Sequence, residues 1–397
     1  MAHLVASRSY VSYTPMQLKR KLEENPYTFI HIINPEFGNK KKSKANSAQR
    51  FEKVRKRYED FIKNGFLVKN TQKAYYLYQQ ESELGIFKGL ICGISIDDYL
   101  QGSIRIHEHT LTEREEVFCN YLDICNFNAE PVLLSYKENT AEIQSQLAAL
   151  SSQRPLLDFS TTDGCRHRLW EIADAHSQES IANTFAKIDT MYIADGHHRT
   201  ASSALLGKRR RAARSTEESP GSDFILAMLM PAEQLVIKPF HRLISLKEGL
   251  KEQELLQKLS EDFILERSST PVVPSAKRTW GMRIAGAWYA LRLRKMPQAA
   301  AIKEQLDAVI LTEKVLEPVF GIRDQKTDPR INFIPGTESL HPYEKAIDAG
   351  DHSALFTLYR VDTEELFAVA DANEVMPPKS TWVAPKLRSG LVVMPLD

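Results

Sequence analysis

The stretch MYIADGHHRTASSALL, residues 191–206, sets Asp195, Gly196, His197, His198 and Arg199 between an apolar run and a helix-forming tail. Tyr192 to Ala194 read as the end of a strand and Asp195–Gly196 as a sharp turn, because glycine takes positive φ at no steric cost. His197, His198 and Arg199 then fall in the first turn of a helix running through Ala201, Ala204 and Leu205. Backbone N–H groups there have no intrahelical acceptor and the helix dipole is positive. Arg199 adds a bidentate fork for phosphate or carboxylate, so strand, turn, helix N-terminus and arginine together make an anion site. Two other readings stay open. One histidine with Asp195 could serve a metal, although adjacent helical side chains point roughly 100° apart and the two imidazoles share an ion poorly. In the other, Asp195 caps the helix and a histidine packs in the core.

Two further segments carry chemistry. In RIHEHT, alternation along a strand puts Arg105, His107 and His109 on one face and Glu108 on the other. That face suits two metal ligands or a basic pair beside an anion, and a break at Glu108 turns its carboxylate inward as a general base. In MPPKSTWVAPKLRSGL, prolines hold an extended path with few backbone donors, and Lys379, Ser380, Thr381, Lys386, Arg388 and Ser389 offer groups for an anion beside Trp382. A tail docked by its prolines and Trp382 is the structural alternative. HExxH, GxxxxGK[ST], GxSxG and a strand-to-helix GxGxxG are not found, which disfavours zincin, P-loop, serine-hydrolase and dinucleotide chemistry.

The elements that must position these residues alternate. Strands are expected at PYTFIHIINPE, AYYLYQQ, GLICGISIDDYL, SIRIHEHT, PVLLSY, HRLWEI, TMYIA, DFILAMLMP and QLVIKPFHRLIS, and in a hairpin around Gly286. Helices are expected from Phe51, from Thr112, over 138–155, at ESIANTFAKI, RTASSALLGKRRRAA, EGLKEQELLQKLSEDFIL and LDAVILTEKVLEPVFGI. HSALFTLYRV and LFAVADANEVMPPKSTWVAPKLRSGLVVMPLD read as a tail carrying strands around a Pro-rich loop. Residues 207–222, rich in charge with Ser, Pro and Gly, are the expected mobile linker. It divides an N-terminal α/β part, 1–206, carrying HEH and DGHHR, from a C-terminal α+β part, 223–397. The fold class is thus α/β, an α+β mixed sheet, with a tail that packs back on the site.

Whole-chain properties narrow the partners. Lys plus Arg is 52 and Asp plus Glu is 51 in 397 residues, so no global field draws the chain to nucleic acid or anionic lipid. The four cysteines form no CxxC pair and read as reduced thiols. With no signal-peptide pattern and no long uncharged apolar run, a cytoplasmic protein is expected. Nothing in the sequence fixes an oligomeric state.

NPYTFIHI, YYLYQQ, RIHEHTL, YIADGHHRTASSAL, LDAVILTEKVLEP and MPPKSTWVAPKLRSGL resemble, in order, the domain-of-unknown-function family 1015, over nearly the whole chain. ADGHHRTASSA is also similar to the DGHHRxxA element of ParB/sulfiredoxin-type folds, which include CTP hydrolases and a kinase of free serine. That second resemblance implies a nucleotide-phosphate site at Asp195, Gly196, His197, His198 and Arg199. One departure stands out: the family's Pro-Tyr-Asp triplet is matched by Ser9, Tyr10 and Val11 after Arg8, which puts any role of that Asp in doubt here. By the same resemblance, most of the family's segment before it is expected to be missing here.

The leading expectation is therefore a nucleotide- or phosphate-binding enzyme, a small-molecule kinase or nucleotide hydrolase. Glu108, Asp195 and His198 are the candidate catalytic residues. Arg105, His107, Gly196, His197, Arg199, Lys379, Ser380 and Arg388 are the candidate phosphate ligands. Mg²⁺ would arrive with the nucleotide and no resident protein metal is expected. The alternatives are a metal-dependent hydrolase built on His107, His109 and His198, or a ParB-like DNA-associated module, which the charge balance disfavours.

Overall fold

VLLSY and FILAMLMP are near-continuous apolar runs, as strands covered on both faces must be, and they lie at the heart of the larger sheet. In the computed structural model, which describes residues 1–215, 219–246, 252–296 and 301–397, the chain forms two units. The first comprises Met1–Leu235 with Pro385–Asp397, the second Val236–Ala384.

The first unit is built on eight strands: β1 (Tyr75–Ser82), β2 (Gly85–Ser95), β3 (Ile104–Arg105), β4 (Val132–Tyr136), β5 (Leu157–Ser160), β6 (Arg166–Ile172), β7 (Met191–Asp195) and β8 (Phe224–Pro231). Their order is β3-β7-β4-β8-β2-β1-β6-β5. Pairs β3–β7 and β4–β8 are parallel and the rest antiparallel, so the sheet is mixed. Val132, Leu134, Ile193, Ile225 and Ala227 pack beneath the helices Ala141–Ser151 and Ala175–Phe185 through Ile143, Leu147, Ile181 and Phe185. The helix His197–Ala213 buries Leu206 against Cys119 and Leu122 of the helix Thr112–Cys125, with Leu396 of the returning tail beside them.

The second unit holds a wholly antiparallel six-stranded sheet of β9 (Phe240–Ile244), β10 (Phe263–Ser268), β11 (Thr279–Ile284), β12 (Ala287–Leu293), β13 (Ile331–Pro335) and β14 (Ala354–Leu358). Its order is β10-β12-β11-β14-β9-β13. The hairpin at Ala285–Gly286 lies where the alternation placed it.

Several expectations are corrected. PYTFIHIINPE is not a strand: Ile30–Ile33 is one helical turn, His31 and Ile32 donating back to Thr28 and Phe29 in place of a neighbouring strand. LFAVADANEV is helical over Thr363–Asp371, nucleated by a capping box in which Asp362 and Glu365 satisfy each other's backbone N–H. The helix at 252 stops at Asp262 and FIL begins β10, while residues 248–251 of that expectation lie outside the described residues. QLVIKPFHRLIS is two strands broken at Pro239, which cannot donate to a ladder. In LDAVILTEKVLEPVFGI, Thr312–Leu316 is a π-turn, and Pro318 lies in the first turn of the closing helix Glu317–Phe320, which Gly321 ends.

Nor does the chain divide at 207–222. The helix runs unbroken to Ala213, and Arg209, Arg210 and Arg211 pair with Glu116, Asp123 and Asp97. Residues 216–218 lie outside the described residues. The divisions fall after Leu235 and after Ala384, so the C-terminal tail rejoins the first unit.

Candidate functional site

The end of β7 and the first turn of the 197–213 helix are set by Gly196, whose φ is 106°. A Cβ there would approach Arg199 Nη2 and Val132 Cγ1 to 3.0 Å, so only glycine lets the turn close this tightly. Gly196 brings no side-chain cap to the helix, in contrast with the helices capped by Thr14, Ser47, Thr140 and Asp174.

Arg199 folds back over this turn. Its Nη2 meets Asp195 Oδ2 at 2.8 Å, and its Nη1 donates to the carbonyls of Glu130 at 3.0 Å and Pro131 at 2.6 Å. The Glu130 carboxylate lies 3.3 Å from the same Nη1. One guanidinium thus gathers two carboxylates, Asp195 from β7 and Glu130 from the approach to β4. The tail completes the cluster: Lys386 Nζ donates to Asp195 Oδ1 at 2.6 Å and Ser389 Oγ to Glu130 Oε2 at 3.0 Å. It is held in place by a backbone bridge between Ser7 and Ser389 and by the Gly390 N–H on the Ala129 carbonyl. A Cβ on Gly390, at φ 77°, would fall 2.3 Å from the Phe29 ring.

The histidines do something else. His107 and His197 are buried together, ring centroids 4.5 Å apart and nearly perpendicular. The His107 backbone N–H donates to His197 Nε2 at 3.4 Å, so that nitrogen is an unprotonated acceptor. Burial pushes the His107 imidazole down to about 4, with the Asp195 charge pulling the other way. Burial, then the neighbouring His107 and His198, holds His197 well below the ordinary histidine range. Both are neutral near pH 7, so neither offers a positive charge to phosphate.

The strand expected through RIHEHT ends at Arg105, where pairing with β7 stops. His107 consequently turns inward at a bend, while Glu108 and His109 are exposed and do not share the arrangement that alternation implies. Among the described residues, no group of three or more His, Cys, Asp and Glu is placed to hold a metal ion. The metal-hydrolase set His107, His109 and His198 is therefore not assembled.

Lys379 and Ser380 belong to the second unit, where Lys379 Nζ lies 5.3 Å from the Phe240 ring centre and Ser380 Oγ donates to the Pro377 carbonyl. Arg388 belongs to the first unit, is buried, and pairs with Asp163 at 2.7 Å. Residue types and spacing missed Glu130, which sits in an unremarkable AEPV stretch and is brought in only by the fold. Lys386 and Ser389 stood among the anion-binding groups of the tail, but as partners of Asp195 and Glu130 they could not be foreseen.

The family model described as "Protein of unknown function (DUF1015)" matches residues 1–309. The chain belongs to this family. No curated protein matches it. Among solved structures it is similar to a free serine kinase in complex with AMP, at 12% identity and a TM-score of 0.38, over 77% of this chain and 92% of that one. It is also similar to SbnI with C-terminal truncation from Staphylococcus aureus, at 13% identity and a TM-score of 0.43, over 77% and 87%. A conserved hypothetical protein from Pyrococcus furiosus follows at 12% and 0.36, over 77% and 95%. Likeness at this level carries no inference about what the chain binds. Among the described residues, no helix is long and apolar enough to cross a membrane.

Proposed function

We propose that the first unit binds the phosphates of a nucleotide against the N-terminus of the 197–213 helix and acts as a small-molecule phosphotransferase or nucleotide hydrolase. The observation that carries this reading is Lys386. The tail lays this half-exposed cation on Asp195 at a helix start to which Gly196 contributes no capping side chain. Backbone N–H groups and a lysine converging at one turn form an established kind of phosphate cradle.

Arg199, expected as the phosphate fork, supports the site by holding Asp195 and Glu130. Two carboxylates so placed suit Mg²⁺ delivered on the phosphates, since that ion is usually held by one or two carboxylates and by phosphate oxygens. Bound there, Mg²⁺ would neutralise developing charge on the transferred group. Asp195 is the better candidate than Glu108 for a proton acceptor, because Glu108 is exposed on the bend after β3 whereas Asp195 lies at the turn itself. His198, half-buried in the same first turn, would face the phosphates.

A thermal-shift screen with ATP, ADP, CTP and GTP, each with and without Mg²⁺, tests the reading. A ligand at about 100 times its dissociation constant adds about 2.7 kcal/mol to the folded state. At least one nucleotide should raise the melting temperature, more so with Mg²⁺. No shift for any nucleotide at millimolar concentration would overturn it.

A further inference from the structure

The turn between β5 and β6 gathers charge of a different balance. Arg388 is 95% buried, and its Nη2 donates to Asp163 Oδ2 at 2.7 Å and to Thr161 Oγ1 at 3.3 Å. Its Nε, equally buried, has no hydrogen-bond partner among the described residues. Behind it runs a polar row that leads inward: half-buried Thr161 Oγ1 contacts His167 Nε2 at 3.0 Å, and buried His167 Nδ1 contacts Tyr78 Oη at 2.8 Å. His167 is buried and held down to about 4, chiefly by burial and then by the Arg388 charge, so it adds no cation. Cys165 borders the same turn, half-buried.

The backbone bridge between Ser7 and Ser389 sets Arg8 beside the tail segment that carries Arg388, and two more cations act electrostatically on this group. Arg8, stacked over the Tyr13 ring at 4.6 Å, acts on Asp163 and on Lys21. Lys21, on the helix Pro15–Glu24, is half-buried and feels both Arg388 and Arg8 as like charges. Asp163 is the carboxylate they share, and the other acid acting on Lys21, Glu24, is already paired with Arg20 at 2.8 Å. Arg8, Lys21 and Arg388 set against Asp163 leave two positive charges unmatched in a partly desolvated place. Like charges drawn together at such a spot repel unless an anion joins them.

We infer that Arg8, Lys21 and Arg388 form a second anion site, selective for a phosphate dianion over a monocarboxylate. The unmatched charge equals that of a phosphate monoester or of inorganic phosphate. The buried Arg388 fork, braced by Asp163 and Thr161, supplies the directional donors. Arg8 and Lys21 supply charge at the solvent side. This site does not depend on the nucleotide reading, since it shares no side chain with the Asp195 cluster.

The test is calorimetric titration of the whole 397-residue chain and its Lys386→Ala variant, at constant ionic strength, with inorganic phosphate, phenyl phosphate or acetate. Phosphate should bind saturably to both proteins, and acetate should not compete with it. Arg8→Ala and Lys21→Met, both at partly exposed positions, should each weaken phosphate binding by about tenfold or more without lowering the melting temperature of the unliganded protein. Tighter binding of phenyl phosphate points to an esterified ligand and equal binding to free phosphate; either supports the site. The inference is overturned if phosphate binding is lost in Lys386→Ala but unchanged in Arg8→Ala and Lys21→Met. It is equally overturned if acetate competes as well as phosphate, or if no saturable binding is seen.

Discussion

Arg199 illustrates how a residue type can be legible while its partner is not. The guanidinium sits where the DGHHR spacing puts it, but it binds inward, to two carbonyls and two carboxylates. Replacing it with lysine keeps the charge and loses the fork, leaving buried carbonyl oxygens and the Asp195–Glu130 pair poorly matched. Arg199→Lys should destabilise the first unit by about 2 kcal/mol, read as a lower urea midpoint. His107 makes a prediction of pH dependence. Its folded value of about 4 lies below the ordinary 6.5, so the unfolded chain binds the proton more tightly. The resulting stability is complete above about 6.5 and is lost as the pH falls toward 4, by about 3 kcal/mol in all. His197 acts in the same direction. Urea unfolding at pH 7.5 and pH 5 should show the loss, and His107→Phe should reduce it, the remainder coming from His197 and from His167, which burial also holds low. A midpoint equal at both pH values in the native protein would refute the neutral buried pair.

At the scale of elements, the site rests on one tight turn. Gly196→Ala meets both an unfavourable φ and close contacts with Arg199 and Val132. It should cost about 1–3 kcal/mol. Gly286→Ala, at φ 78° in a hairpin with nothing within 4 Å, should cost less, and thermal melts of the two variants compare them directly. Strands and helices with a strong period were legible: VLLSY, FILAMLMP, MYIAD and the 197–213 helix lie where patterning puts them. Failures have local causes. IHII alternates but has no strand beside it, so its backbone bonds to itself. LFAVADAN hides a helix whose capping signal, Asp362 with Glu365, lies just upstream of the apolar run. RIHEHT loses its ladder after Arg105, which sends His107 inward and leaves Glu108 and His109 outside.

The organisation of the whole molecule was the least legible level. Charged, glycine-bearing composition at 207–222 imitates a linker, yet Arg209, Arg210 and Arg211 are paired across helices and the chain divides elsewhere. The last residues, from Pro385, belong to the first unit and deliver Lys386, Arg388 and Ser389 to it, with Leu396 buried at its end. Truncation after Ala384 should therefore lower the melting temperature of the first unit and open it to limited proteolysis, although the segment removed lies far from it in sequence. The central claim, that nucleotide phosphates bind at the Asp195 turn with help from this tail, is tested most directly by calorimetric titration. The nucleotide giving the largest thermal shift, with Mg²⁺, is titrated into the native protein and into Lys386→Ala. The account predicts one saturable site in the native protein, weakened about tenfold or more by the substitution. Equal affinity in both proteins, or no binding to the native one, would contradict it.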